Sequence, residues 1–209
     1  LNNMQSGVRN MGIFNKVSTI IAAPVIALGL AAATPAEAVV VDAELLLLMD
    51  VSGSVNTTEY DLQRIGYRNA FQSAAVHNAI ANSANGVAVQ LVQWSGVGQQ
   101  TVSVGWAHLT GAASANAFAA SIDAMGRAFS GQTGLGDALS AGALMFGTET
   151  GGAANGFESA RQVIDVSGDG ANNDGTGTAT GRTAALNAGV DVINGIAILG
   201  ETGLLAHYT

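Results

Sequence analysis

The 209 residues contain 48% hydrophobic and only 11% charged side chains, a composition that excludes a disordered chain and indicates a single domain with a sizeable buried core. Seven Lys and Arg stand against fifteen Asp and Glu, a formal net charge of -8, so nucleic acid is not an expected partner. Cysteine is absent from the sequence, which excludes disulfides, zinc-thiolate sites and thiol catalysis.

The N-terminal segment has the pattern of an export signal. A positively charged stretch ending at Lys16 precedes the mostly apolar residues 17–33, and residues 36–38 form an A-x-A cleavage site. The alternative is a retained membrane anchor, but Pro24 interrupts the apolar stretch, which is also short for a bilayer. We therefore expect residues 1–38 to be a cleaved signal peptide. The mature chain is then a secreted or periplasmic bacterial protein with no stable membrane span.

The remainder of the chain alternates apolar runs with helical patterns. The run V-V-V-D-A-E-L-L-L-L-M-D, residues 39–50, predicts a central strand that is buried on both faces. Residues 87–94 and 101–106 predict a hairpin, so one edge strand is antiparallel. We also expect strands at residues 162–167 and 190–199, and helices at residues 57–81, 114–125, 134–146 and 178–187. This order predicts an α/β fold with a Rossmann-like open, mostly parallel, twisted sheet and helices on both faces.

Oxygen-bearing side chains follow two of the predicted strands, and one more lies in a glycine-flanked loop. Asp50, Ser52 and Ser54 follow the first strand in the sequence D-V-S-G-S. Thr133 lies in S-G-Q-T-G-L-G-D-A-L just before a helix, and Asp169 follows the fourth predicted strand. Because ligands bind at the carboxyl ends of the strands in such sheets, we expect these residues to converge there. Two carboxylates and three hydroxyls suit Mg²⁺, Mn²⁺ or Ca²⁺ and are poor ligands for zinc or copper, with Mg²⁺ the best fit.

These five residues resemble the metal-ion-dependent adhesion site of von Willebrand factor A-like (vWA) domains, which combines D-x-S-x-S with a distant Thr and a distant Asp. The resemblance covers about residues 41 to 200 and extends to a group of exported bacterial proteins that share D-V-S-G-S, W-S-G, S-G-x-T-x-x-G-D-A-L and V-I-D-V-S-G-D-G-x-N-N. It implies that the hydroxyls of Ser52, Ser54 and Thr133 bind metal directly. By the same resemblance, Asp50 and Asp169 act largely through bound waters, which leaves the ion positive toward an acidic group on a protein ligand.

The chain departs from the family pattern in two places. Relatives end the fourth strand in Thr-Asp-Gly or Ser-Asp-Gly, whereas Gly168 is inserted here between Ser167 and Asp169. Asp165 is a rival ligand, but at about 3.3 Å per residue it would lie about 13 Å back along the strand and be buried in the sheet. We therefore retain Asp169. Relatives also continue into another strand or helix, so we expect the vWA-like domain, residues 39–209, to be truncated at its C-terminus.

Five further residues near the candidate site have ordinary structural interpretations that we favour. Asp137 lies in a first helical turn, where the helix dipole stabilises a carboxylate. Asn172 and Asn173 are expected to form a turn, although they follow the strand closely enough to touch a ligand. Trp94 and Trp106 are expected to pack in the interior rather than to line a binding face.

Three classes of function are compatible with a metal site of this kind. We favour a binding module without catalytic activity, which holds its protein ligand through the cation. One alternative is a metal-dependent hydrolase or phosphoryl-transfer enzyme, with Asp50 as nucleophile and Asp169 as a second metal ligand. Such an enzyme usually needs an acid, a base or a cation at the transition state, and His77, His108 and His207 are scattered. The other alternative is a structural subunit of a surface assembly.

Overall fold

The computed structural model describes residues 37–198, which form seven strands and five α-helices. The strands are β1 (Val39–Val40), β2 (Ala43–Asp50), β3 (Val87–Trp94), β4 (Gln100–Leu109), β5 (Phe157–Glu158), β6 (Gln162–Gly168) and β7 (Val192–Ala197). The helices are α1 (Thr57–Phe71), α2 (Ala74–Ala81), α3 (Ala112–Ala124), α4 (Leu135–Ala143) and α5 (Thr178–Ala188), with a 3-10 helix at Gly147–Thr150. The expected signal peptide, apart from its last two residues, and the expected C-terminal truncation lie outside the described residues.

The main sheet has five strands in the order β4-β3-β2-β6-β7. Strand β2 pairs in parallel with β3 and β6, β6 pairs in parallel with β7, and β4 is antiparallel to β3. This confirms the α/β fold expected from the sequence, including the single antiparallel edge. Because β2 is central, its carboxyl end is flanked by the loops that follow β3 and β6.

Side chains on the two faces of the sheet form two separate hydrophobic cores. Leu46 and Leu48 pack with Leu139 of α4 in one core. Leu47 and Met49, on the opposite face of β2, pack in the core that also contains residues of α1 and α3. Alternate residues of a strand point to opposite faces, so the continuous apolar run of β2 supplies both cores. The expectation of helices on both faces is thereby confirmed.

The strand expected at residues 39–50 is divided. Val39 and Val40 pair in parallel with Phe157 and Glu158 in a separate two-stranded sheet, and the central strand begins at Ala43. Between the two strands lies a bend at which Asp42 Oδ1 accepts a hydrogen bond of 2.8 Å from the side chain of Asn85.

The helix expected at residues 57–81 is likewise two helices. Ser73 interrupts the helical pattern, because its hydroxyl accepts a hydrogen bond of 3.2 Å from Val76 N and donates one of 2.7 Å to Ala70 O. A serine in this position caps a new helix in preference to continuing the old one. Helix α4 ends at Ala143 and not at residue 146, since the chain turns there into the 3-10 helix. Among the described residues, no helix is long and apolar enough to cross a membrane.

Candidate metal site

The loop after β2 is held tightly at the carboxyl end of the sheet. Asp50 is the last residue of β2 and is fully buried, and its Oδ1 accepts a hydrogen bond of 2.7 Å from Ser52 N. Gly53 N donates a hydrogen bond of 2.6 Å to Gly131 O. A Cβ on Gly53 would lie only 3.2 Å from that same oxygen, so glycine permits the close approach of the two loops. The D-V-S-G-S loop therefore lies directly against the loop that carries Thr133.

Four of the five predicted ligands are joined by hydrogen bonds between their side chains. Ser52 Oγ lies 3.1 Å from Ser54 Oγ and accepts a hydrogen bond of 3.3 Å from Thr133 Oγ1. Ser54 Oγ donates a hydrogen bond of 2.7 Å to Asp169 Oδ1. Asp50 is connected to the same group through the backbone of Ser52. The structure thus brings together all five residues that the sequence predicts as ligands.

The structure also distinguishes Asp169 from its rival Asp165. Gly168 extends β6 by one residue and pairs with Ala197 of β7, so the inserted glycine is absorbed by the sheet and Asp169 emerges at its edge. Asp165 lies back in the strand, where its Oδ1 accepts a hydrogen bond of 2.6 Å from Asn194 Nδ2. Asp165 is half-buried, so the expectation that it would be buried is only partly correct.

Burial makes ionisation of the Asp50 carboxyl group unfavourable. Removal from water is the main reason that the pKa of Asp50 is raised to about 7, and the nearby negative charge of Asp169 acts in the same direction. Hydrogen bonds from Ser52 oppose this shift in the pKa. The second oxygen, Oδ2, is buried and has no hydrogen-bond partner. A buried carboxylate in this state needs either a proton or a nearby cation.

Two asparagines that follow the site in sequence hold the Thr133 loop in place. Asn173 Oδ1 accepts a hydrogen bond of 2.9 Å from Thr133 N, and Asn172 Oδ1 accepts one of 3.1 Å from Gly136 N. The sequence predicts a turn at these two residues, whereas their bridging role depends on which loops the fold brings together. The available signal was their position two to four residues after Asp169 and Gly170.

Two further carboxylates tie the surrounding loops together. Asp137 Oδ2 accepts a hydrogen bond of 2.6 Å from Thr176 N, so this residue anchors the loop after β6 as well as lying in the first turn of α4. Asp174 Oδ2 accepts a hydrogen bond of 2.8 Å from Val97 N in the turn between β3 and β4. The rim of the site is therefore cross-linked by side-chain to backbone hydrogen bonds.

Arg127 is the cationic residue closest in sequence to Thr133, and it stabilises the backbone of the D-V-S-G-S loop. Arg127 Nη2 donates hydrogen bonds of 3.0 Å to Val51 O and 2.6 Å to Ser52 O. Its Nε donates one of 2.9 Å to Phe129 O. This guanidinium is thereby committed to backbone carbonyls, which fixes the loop but leaves those donors unavailable to a ligand.

The prediction that both tryptophans pack in the interior is confirmed for Trp94 and only partly correct for Trp106. Trp94, which pairs with Asp50 across the β2–β3 ladder, is fully buried. Trp106 is half-buried, and its indole N–H donates a hydrogen bond of 3.2 Å to Met145 O.

The donor set and its spacing fit a hard divalent cation. Neighbouring ligands of an octahedral ion that binds oxygen at about 2.1 Å lie about 3.0 Å apart. Ser52 Oγ lies 3.1 Å from Ser54 Oγ and 3.3 Å from Thr133 Oγ1, and both distances are close to that value. A Cβ on Gly170 would lie 3.3 Å from Ser54 Oγ and 3.6 Å from Thr133 Oγ1, so glycine keeps that side of the group open.

The hydroxyls are necessary to this interpretation. Within residues 37–198, no group of three or more His, Cys, Asp or Glu side chains is arranged to hold a metal ion. An ion at this place would therefore depend on Ser and Thr oxygens together with Asp50 and Asp169. Such a site differs from the carboxylate-rich or histidine-rich sites of many metal-dependent enzymes.

The fold is that of a vWA-like domain. It is similar to the structure of proximal thread matrix protein 1 (PTMP1) from the mussel byssus, described with a zinc-occupied MIDAS motif, with a TM-score of 0.58 and 20% sequence identity over 83% of this chain and 43% of that one. It is also similar to the pilus adhesin SpaC from Lactobacillus rhamnosus GG, with a TM-score of 0.52 and 16% identity over 75% of this chain and 24% of that one. The chain thus spans less than half the length of either protein.

Within this class, the chain belongs to the family described as protein of unknown function (DUF1194), whose model matches residues 40–208. No curated protein matches the sequence. The family match covers the whole of the main sheet and all five candidate ligands, and the structural similarities establish the fold alone.

Proposed function

We propose that this protein is an exported, divalent-cation-dependent binding module of the adhesion type, which recognises a protein ligand through the site at the carboxyl edge of the sheet. The observation that carries the proposal is the hydrogen-bonded cluster of three hydroxyls with Asp169 and Asp50, of which Asp50 is buried with an oxygen that has no partner. The fold is shared with a byssal matrix protein and a pilus adhesin, which supports a binding role.

Each residue of the site has a distinct part in this proposal. Ser52, Ser54 and Thr133 hold the ion directly through their neutral hydroxyls, while Asp50 and Asp169 orient its waters. Mg²⁺ is the expected ion, with Mn²⁺ or Ca²⁺ as substitutes. When bound, the ion supplies a Lewis-acidic position to which an acidic side chain of the protein ligand can be coordinated. Neutral ligands leave more of the ion's positive charge available for that carboxylate than a set of several carboxylates would.

The enzymatic alternative needs a proton donor or a positive group beside the metal. In the part of the chain that the structure describes, His77 and His108 each lie within hydrogen-bond distance of a backbone carbonyl, at Phe71 and Asn85 respectively. Arg127 donates to the backbone carbonyls of Val51 and Ser52 within the D-V-S-G-S loop. These contacts favour a binding module over a hydrolase or phosphoryl-transfer enzyme.

Export follows from the N-terminal pattern and is part of the proposal. Removal of residues 1–38 would leave a mature chain that begins at Val39, the first residue of β1. Intact-mass measurement of the protein recovered from outside the cytoplasm tests this. A recovered chain that still contains Lys16 would contradict it.

The binding function is tested by cation-dependent capture. The mature chain is immobilised and exposed, in Mg²⁺, to the extracellular and periplasmic fractions of the source cells, and then eluted with EDTA. We expect a specific protein to be released by EDTA from the wild-type chain and to be absent from a Thr133→Val chain, which has the same side-chain shape without the hydroxyl. Retention that is indifferent to both EDTA and the substitution would overturn the proposal.

A further inference from the structure

A second pair of carboxylates, the buried Glu44 and the half-buried Glu149, lies toward the amino end of β2, away from the candidate metal site. Glu44 is the second residue of β2 and is fully buried, whereas Asp50 ends the same strand. Six strand residues at about 3.3 Å each separate the two positions by about 20 Å. Glu44 is therefore remote from the candidate metal site, and the contacts around it involve a different set of loops.

The partners of Glu44 are neutral. Its Oε1 accepts a hydrogen bond of 2.5 Å from Asn155 Nδ2, and its Oε2 accepts one of 3.1 Å from Ser159 Oγ. Among the described residues, the ion pairs join Arg64 to Asp61 and both Arg64 and Arg68 to Asp123, and none reaches Glu44. Hydrogen bonds from neutral groups, and not an ion pair, therefore stabilise the negative charge of this buried carboxylate.

A second carboxylate, Glu149, faces the same region. Both of its oxygens are buried and neither has a hydrogen-bond partner. Glu149 Oε2 and Asn155 Oδ1 both lie against the side of Gly147 that lacks a side chain, where a Cβ would be 2.9 and 3.2 Å from them. Burial is the main reason that the pKa of Glu44 is raised, and the negative charge of Glu149 adds to this effect.

Asn155 is hydrogen-bonded to Glu44, and its side-chain oxygen lies near the same point at Gly147 as Glu149 Oε2. Its side-chain nitrogen donates to Glu44 Oε1 and, at 3.3 Å, to Met145 O, while its Oδ1 accepts a hydrogen bond of 2.9 Å from Phe157 N. The amide is therefore held in an orientation that presents its oxygen on the side of Glu149. An amide oxygen retains a second lone pair after one hydrogen bond, so it can still bind a cation.

Burial of an ionised carboxylate without a partner is unfavourable, and a proton or a cation removes this penalty. We propose that Glu44, Glu149 and Asn155 form a second cation site that takes Ca²⁺. Carboxylate and amide oxygens are the ligands that Ca²⁺ uses, and its irregular coordination tolerates a site built from a strand, a 3-10 helix and a loop. Mg²⁺ requires a stricter octahedron and is the poorer fit.

The position of Trp106 provides a specific optical test. Trp106 Nε1 and Asn155 Nδ2 both donate to Met145 O, so this indole lies beside the proposed site. Tb³⁺ binds at Ca²⁺ sites and emits when a neighbouring tryptophan is excited. Trp94 lies at the other edge of the sheet, and use of the Asp50→Asn chain eliminates a signal from that edge.

We expect the Asp50→Asn chain to bind one Tb³⁺ with tryptophan-sensitised emission that Ca²⁺ displaces. A further Glu149→Gln change, which removes the charge and keeps the shape, should weaken Ca²⁺ binding at least tenfold. The matched control is Glu158→Gln, which removes an exposed charge from the neighbouring strand β5 and should leave binding unchanged. Trp106→Phe should abolish the emission and retain Ca²⁺ binding measured by calorimetry.

Circular dichroism establishes that each variant is folded, and Glu44→Gln replaces Glu149→Gln if the latter does not fold. Absence of Ca²⁺ binding in the Asp50→Asn chain, or equal losses in the Glu149→Gln and Glu158→Gln chains, would overturn the proposal. A Glu149→Gln chain that melts at a higher temperature, combined with a wild-type melting temperature that does not respond to Ca²⁺, would show that the carboxyls share a proton instead. The first metal site is not required for any of these results, so its failure would be seen separately.

Discussion

Ser54 Oγ donates a hydrogen bond of 2.7 Å to Asp169 Oδ1 across 115 residues of sequence. This contact joins the loop after β2 to the loop after β6 and sets the distance between the two halves of the candidate metal site. It also shows how the inserted Gly168 is accommodated, because Asp169 reaches the hydroxyls after β6 has been lengthened by one residue.

Removal of the Asp50 charge should eliminate metal-dependent stabilisation. In the Asp50→Asn chain, the hydrogen bond from Ser52 N can be retained by the amide oxygen, while the negative charge that offsets the ion is lost. For the wild-type chain, Mg²⁺ at a hundredfold excess over its Kd should raise the free energy of unfolding by about 2.7 kcal/mol. Thermal melts with Mg²⁺ and with EDTA measure both chains. An equal Mg²⁺ response in the two chains would place the ion elsewhere.

The stability of the protein in EDTA should depend on pH through Asp50. Its pKa is raised from 3.8 to about 7, so the folded state binds the proton more tightly than the unfolded state does. The resulting stabilisation is complete below about pH 4 and is lost as the pH rises through about 7, with a magnitude on the order of 4 kcal/mol. Urea unfolding at a series of pH values should therefore give a steeper decline for the wild-type chain than for the Asp50→Asn chain.

Mg²⁺ competes with the same proton, so its affinity should increase as the pH is raised toward and through about 7. Calorimetric titration at pH 6 and pH 8 checks the direction. An affinity that is independent of pH over this range would mean that the Asp50 carboxyl is already ionised at the lower pH.

Loss of the Thr133 hydroxyl should weaken Mg²⁺ binding at least tenfold, or about 1.4 kcal/mol. Thr133 is buried, so Thr133→Val is chosen to preserve its packing. Thr133→Ser, which keeps the hydroxyl, serves as the control and should bind nearly as well as the wild-type chain. Calorimetry gives the affinities. If Thr133→Val binds Mg²⁺ normally, the hydroxyl is not a ligand.

Removal of the Asn173 side chain should loosen the Thr133 loop. Thr133 N would lose its acceptor, and a hydrogen bond of this kind contributes about 1 kcal/mol. We expect Asn173→Ala to weaken Mg²⁺ binding by about fivefold, less than Thr133→Val does, because the ligand atom itself remains. Asn187→Ala, an exposed change on α5, is the control. An unchanged affinity for the Asn173→Ala chain would exclude a positioning role for this residue.

The amino-acid sequence by itself determined the class of the fold and the identity of the candidate ligands. Both are local signals: the apolar run from Leu45 to Met49 predicts a doubly buried strand, and the sequence D-V-S-G-S that follows it places Asp50, Ser52 and Ser54 at the end of that strand. The alternation of strands and helices then fixes a mostly parallel sheet, in which such loops share one edge.

Only the tertiary structure decided how the loops are fixed to one another. The bond from Thr133 N to Asn173 Oδ1 spans 40 residues and has no local pattern, since an asparagine after a strand equally suits a turn. The same holds for Glu44, whose place in an apolar strand conveys nothing about Asn155, 111 residues away, or about the unpartnered Glu149 beside it. Hydrogen-bond partners and burial depend on which segments pack together, and that is decided by the whole chain.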